Sequence, residues 1–90
     1  MEPIPMTRNA IKSKVIDIIS TDAFIEDGER LDLDANLEKV YGIDSLDAID
    51  MTFSIENEFG ITISDDEIEK NVTANAIIET VYNKLKKKGL

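Results

Sequence analysis

Apolar residues recur at helical spacing near both ends of the 90-residue chain, and this pattern constrains the fold more than any other feature. Ile11, Val15, Ile18 and Ile19 fall at i, i+4, i+7 and i+8, one stripe along a helical cylinder. Ile77, Ile78, Val81, Tyr82 and Leu85 form another such face, and Thr7 and Thr73 stand where N-caps belong. Between these two helices, Asp44 or Ser45 opens a third amphipathic run that reaches Phe59, where Gly60 supplies a C-terminal stop. Ser64-Asp65-Asp66-Glu67 has the spacing of a capping box, in which the serine and glutamate side chains each satisfy an orphan backbone N–H, and predicts a short helix as far as Lys70.

The first helix is expected to end between Ser20 and Ile25. From Glu26 to Val40 the chain has Gly28, scattered acids and widely spaced Leu31, Leu33 and Leu37 with no sustained period, which predicts a long loop pinned to the core by its leucines. Ile61-Thr62-Ile63 alternates like a strand, but three residues with no partner do not make a sheet. The expectation is therefore an all-α fold of four helices, three longer and one short. It forms a single domain over residues 1–90, with residues 1–6 and 87–90 as flexible ends.

Nineteen Asp and Glu against ten Lys and Arg give a net charge of −9, which disfavours nucleic acid and anionic membrane surfaces and favours basic protein partners. The acids are also segregated. Residues 40–69 contain Asp44, Asp47, Asp50, Glu56, Glu58, Asp65, Asp66, Glu67 and Glu69 with no Lys or Arg among them, an arrangement suited to steering a basic partner. The chain has no cysteine and no histidine, so thiol chemistry has to come from an added group and the usual imidazole base is missing. No apolar run has signal-peptide or membrane-span length, which makes a cytoplasmic protein without stable membrane insertion the expectation. Asn71-Val72-Thr73 matches a glycosylation sequon but reads as the start of a helix. Asp32, Asp34 and Asn36 occupy positions one, three and five of a Ca²⁺-loop pattern, yet Leu37 then replaces the turn glycine and Ile43 the bidentate glutamate, so an EF-hand is rejected.

The central helix carries the most distinctive chemistry. Projected on a cylinder, Ala48, Met51, Ile55 and Phe59 lie together, while Leu46, Ile49 and Phe53 form a second row on the side of Ser45. One small domain buries one stripe well, so the first is expected to face the core. The second, bordered by Asp47, Asp50 and Glu56, reads as a docking surface with an apolar centre and an acidic rim. Ser45 can serve as a helix cap, with Asp44 as the other candidate, and can also present an exposed hydroxyl where the helix dipole favours a phosphate; the two readings hold together. A hydrolase nucleophile is not supported, since neither a histidine base nor a Gly-x-Ser-x-Gly elbow is present.

Gly42-Ile43-Asp44-Ser45-Leu46-Asp47, followed by Ala48-Ile49-Asp50-Met51, Phe53, Ile55 and Glu58-Phe59-Gly60-Ile61, resembles the acyl carrier protein family over roughly residues 34–85. The resemblance implies a four-helix carrier with 4′-phosphopantetheine, donated from coenzyme A by a phosphopantetheinyl transferase, on Ser45. The terminal thiol of that arm holds an acyl group as a thioester and presents it to fatty-acid, lipid or polyketide biosynthetic enzymes. The carrier is then a monomer and a substrate of basic-surfaced acyl synthases and transferases, not an enzyme. Partner-recognition positions carry over to Asp44, Leu46, Asp47, Ile49, Asp50, Phe53 and Glu56, and an acyl-cavity position to Met51.

Lys39, Val40, Tyr41 and Ser64 depart from the commoner family pattern. The chain is also similar to specialised carriers of very long acyl chains for lipid A, though it lacks their longer insertion. D-alanyl and aminoacyl or peptidyl carriers are alternatives within the same chemistry. A rival from another class is a small acidic interaction module whose serine is only a cap.

Overall fold

The computed structural model describes residues 7–23, 25 and 31–87. Five helices follow one another: α1 (Arg8–Asp22), α2 (Leu37–Tyr41), α3 (Ser45–Phe59), α4 (Asp65–Lys70) and α5 (Ala74–Lys87), with no strand among the described residues. The four helices expected from periodicity and capping are α1, α3, α4 and α5. The addition is α2, five residues inside the stretch expected to be loop. It is real secondary structure with ordinary caps: the Asn36 side chain accepts from Lys39 N–H at 2.9 Å, and Gly42 ends the helix at φ 70°. A five-residue helix is too short to show a hydrophobic period, which is why its leucine read as a loop anchor.

The remaining caps follow the sequence. Thr7 Oγ1 accepts from Ala10 N–H, and Thr73 Oγ1 accepts from Ala76 N–H, both at 3.1 Å. Ser64 and Glu67 complete the reciprocal capping box of α4. Gly60 takes φ 65° at the end of α3, a left-handed conformation that a Cβ disfavours. Of the ends expected at 1–6 and 87–90, residues 1–6 and 88–90 lie outside the described residues, as do Gly28 and its neighbours at 26–30; Lys87 instead belongs to α5 as its last residue.

The core is one cluster. Ile11, Val15 and Ile19 of α1 and Val81 of α5 are fully buried, and Ile77 and Ile78 of α5 nearly so. Helix α1 packs mainly on α5 and then on α3, which contributes Met51, Ile55 and Phe59. Leu31 and Leu37 are buried and Leu33 partly so, as the loop reading required. Ile61 and Ile63 insert into the same core from an extended segment.

The segment between α1 and α3 is fastened by polar contacts as well as by its leucines. Asp32 N–H donates to the Tyr41 hydroxyl at 2.7 Å, so a residue that departs from the commoner family pattern serves to brace α2 against its own approach. Asn75 N–H donates to the Leu33 carbonyl at 3.0 Å and Asn75 Nδ2 to Asp34 Oδ1 at 2.6 Å. Asp34 is thus engaged by α5, and Asp32 Oδ1 accepts from Asp34 N–H at 3.0 Å. No group of three or more His, Cys, Asp or Glu side chains is placed to hold a metal ion among the described residues.

Helix α4 is held to α5 by Lys84 on Glu67 at 2.9 Å. The Ser64 backbone N–H, and then the Lys84 ammonium, hold the Glu67 carboxyl below the usual carboxylate range. A depressed folded value means that the stabilisation is complete above the unfolded value, about 4.3, and is lost as pH falls through the folded one. Glu67→Gln keeps the capping-box oxygen and removes the charge. Thermal melts across this range should therefore show wild type ahead of the variant at neutral pH, with the gap closing in acid. The gap is small, because the pair is part-exposed and screened by solvent. An equal gap at every pH would show that the charge on Glu67 contributes nothing.

Candidate functional site

The turn between α2 and α3 is built to present Ser45. Gly42, in the left-handed conformation, reverses the chain after α2. Ile43 then drops into the core at 6% exposure, with its N–H donated to the Leu37 carbonyl at 3.2 Å. Asp44 follows in extended backbone and caps α3, its side chain accepting from Asp47 N–H at 2.9 Å. The choice between Asp44 and Ser45 as cap is thereby decided in favour of Asp44. Ser45 is the first helical residue, exposed, and its hydroxyl makes no hydrogen bond. The backbone N–H groups of Ser45 and Leu46 have no intrahelical acceptor, as at any helix start, and no loop carbonyl of the described residues accepts from them.

The two apolar rows of α3 separate as their spacing predicts. Met51 is 3% exposed, Ile55 1% and Phe59 8%, whereas Leu46 is 73% exposed, Ile49 39% and Phe53 57%. Ala48 lies half-buried against the core. Asp44, Asp47 and Asp50 are exposed beside the second row. Glu56 differs from these three: it is half-buried, and its Oε2 accepts from Ile63 N–H at 2.7 Å. Its carboxylate therefore pins the extended segment after α3 to the helix, a role the charge pattern did not reveal. Val40 on α2 and Val72 after α4 add exposed apolar surface that the spacing did not identify.

A cleft of 580 Å³ opens from Ser45 between α2, the first half of α3, and α4. Leu37, Ile43, Ala48, Ile49, Met51, Ile68 and Val72 give it an apolar wall, with Glu38, Asp44, Asp65 and Glu69 also on its lining. Met51, singled out in the sequence, is on this wall. Asn36 and Asn71 also line it and were missed. Their only sequence signal was local, as residues flanking short helices, and nothing in the pattern joined one to the other. No helix among the described residues is long and apolar enough to cross a membrane.

Comparison with known proteins gives a consistent result. The family profile described as phosphopantetheine attachment site matches residues 13–81. The acyl carrier protein of Petrotoga mobilis is 36% identical over 80 residues, 89% of this chain and 93% of that protein. That of Thermotoga maritima is 34% identical over 79 residues, 88% of this chain and 96% of that protein. Among solved structures, the acyl carrier protein from Enterococcus faecalis, described for its high thermal stability, superposes with a TM-score of 0.75. It is 29% identical and covers 88% of this chain and 99% of its own. The chain belongs to the acyl carrier protein family, whose members are carriers and not catalysts and whose cofactor is 4′-phosphopantetheine.

Proposed function

We propose that this chain tethers acyl intermediates as thioesters on a 4′-phosphopantetheine arm attached at Ser45, and presents them to biosynthetic enzymes that dock on the exposed face of α3. The observation that carries this reading is the free Ser45 hydroxyl at the start of α3, released from capping by Asp44. The surroundings fit a phosphodiester: the hydroxyl is exposed, the open N–H groups of Ser45 and Leu46 can meet a phosphate oxygen, and the helix dipole favours negative charge there.

In the attachment step the Ser45 Oγ–phosphorus bond forms as the pyrophosphate linkage of coenzyme A breaks. The nucleotide half leaves, and the hydroxyl proton passes to a base of the transferase, since this chain has no histidine to take it. When bound, the arm supplies a terminal thiol for thioester exchange, the chemistry that a cysteine-free chain lacks. The chain's own residues bind and orient. The cleft beside Ser45 offers the tethered chain an apolar wall, with Met51 at its base, and the short reach of a tether raises the effective concentration at each partner.

Leu46, Ile49 and Phe53 form the apolar centre of the docking face, and Asp44, Asp47 and Asp50 its acidic border, with Glu56 at the edge. Partners of basic surface, among them the phosphopantetheinyl transferase and acyl synthases or transferases, suit this pattern. Incubation with coenzyme A and a promiscuous phosphopantetheinyl transferase should raise the intact mass by one arm. A mass that never changes would leave the acidic interaction module as the better reading.

Charge reversal at both Asp47 and Asp50 should slow association with a basic transferase by about tenfold or more at low salt, because exposed charges act on encounter rate. Thermal unfolding should barely change, since Asp44 and not Asp47 provides the cap side chain. Unaltered association kinetics at low salt would remove these acids from the docking face.

A further inference from the structure

The cleft beside Ser45 has two polar positions set into its apolar wall. Asn36 and Asn71 both line it, and both are half-buried. They lie across α2 from the turn that presents Ser45, at the place where Leu37 N–H donates to the Val72 carbonyl at 2.9 Å and so ties the neighbours of the two asparagines together. Each side-chain oxygen is already committed. Asn36 Oδ1 accepts from Lys39 N–H and Asn71 Oδ1 from the Thr80 hydroxyl, both at 2.9 Å. A backbone N–H can meet only the oxygen end of an amide, so the orientation of Asn36 is fixed. Both Nδ2 groups remain as donors without an acceptor among the described residues.

In the open cleft water satisfies such donors. A purely hydrocarbon chain that displaces this water gives nothing in return and leaves the N–H groups unpaired in a cleft also lined by Leu37, Ile43 and Ile68. An oxygen carried along the chain restores the bond. We propose that the cleft favours an acyl cargo bearing a hydroxyl or keto oxygen over the saturated chain of the same length, with Asn71 and Asn36 donating to that oxygen. The inference rests on the carrier reading above and names the class of cargo for it. Discrimination of this kind comes from polar groups that only the matching ligand leaves paired.

The test loads the full chain from tetradecanoyl-coenzyme A and from its positional hydroxy isomers with a promiscuous phosphopantetheinyl transferase, and verifies loading by intact mass before any melt. At least one hydroxy isomer should raise Tm above the saturated form by about 4 °C, the shift expected for one net hydrogen bond in a domain of this size. The same form should move the side-chain amide resonances of Asn71 or Asn36. Asn71→Leu should abolish the difference. So should Asn71→Asp, which keeps an acceptor for Thr80 and removes the donor, and which serves if the leucine variant folds poorly. Loaded forms in which every hydroxy isomer melts at or below the saturated one overturn the proposal and leave the carrier reading standing. A difference that survives in both Asn71 variants overturns the assignment to Asn71, and one that also survives in Asn36→Asp overturns the assignment to these amides. Failure to gain mass would instead remove the carrier reading beneath it.

Discussion

Phe59→Ala should lower stability by about 3–5 kcal/mol, the range for deleting a buried aromatic ring and leaving a cavity. Phe59 is 8% exposed at the end of α3 and belongs to the same cluster as Ile55, Ile61 and the α1 and α5 stripes, so deleting its ring opens a cavity within that cluster. Small domains have only about 5–15 kcal/mol in total. In a melt the loss corresponds to a Tm lower by about 12 °C or more. Phe53→Ala on the same helix should cost well under about 1 kcal/mol, because the ring is 57% exposed. Its effect should fall on transfer kinetics with partner enzymes, as expected when an exposed aromatic anchor is removed from an interface. Equal destabilisation by the two variants would show that the Leu46, Ile49 and Phe53 row is core, and would remove the docking face.

The second large effect is all-or-none. Ser45→Ala should abolish attachment of the phosphopantetheine arm, because the hydroxyl oxygen is the atom that forms the bond to phosphorus. The fold should not notice. Losing an N-cap costs typically about 1 kcal/mol, but the cap of α3 is the Asp44 carboxylate on Asp47 N–H, and the Ser45 hydroxyl holds no hydrogen bond. The change in stability should therefore stay within about 0.5 kcal/mol, as for other exposed positions. Asp44→Ala is the useful contrast, with a cap-sized loss of stability and the hydroxyl still present. Separate readouts of unfolding and mass distinguish the two residues cleanly.

The long helices were legible because they are written redundantly. In α3 the two rows at helical spacing, the acid before Ser45 and Gly60 after Phe59 all point to the same boundaries, and burial of Met51, Ile55 and Phe59 follows. Helix α4 was equally clear from four residues, since a capping box is a local device that needs no tertiary help. Helix α2 was hidden for the opposite reason. Its stability depends on Tyr41 reaching back to Asp32 N–H and on Leu37 N–H meeting the Val72 carbonyl, contacts between residues far apart in sequence or not periodic within it. Glu56 shows the limit of charge patterning: a count of acids cannot tell a rim carboxylate from one that receives the Ile63 N–H. The cleft has the same character, because Asn36, Ser45 and Asn71 become neighbours of one space only once α2 and α4 are placed on α3.

Attachment requires one particular hydroxyl, and the chain has other serines, among them Ser54 on α3 and Ser64 at the cap of α4. Fragmentation mass spectrometry of wild type and Ser45→Ala, each incubated with coenzyme A and a phosphopantetheinyl transferase, tests the claim most directly. The predicted result is a single arm on the peptide spanning Ser45 in wild type and an unmodified, normally folded variant. An arm on Ser54 or Ser64, or any arm on Ser45→Ala, would contradict it.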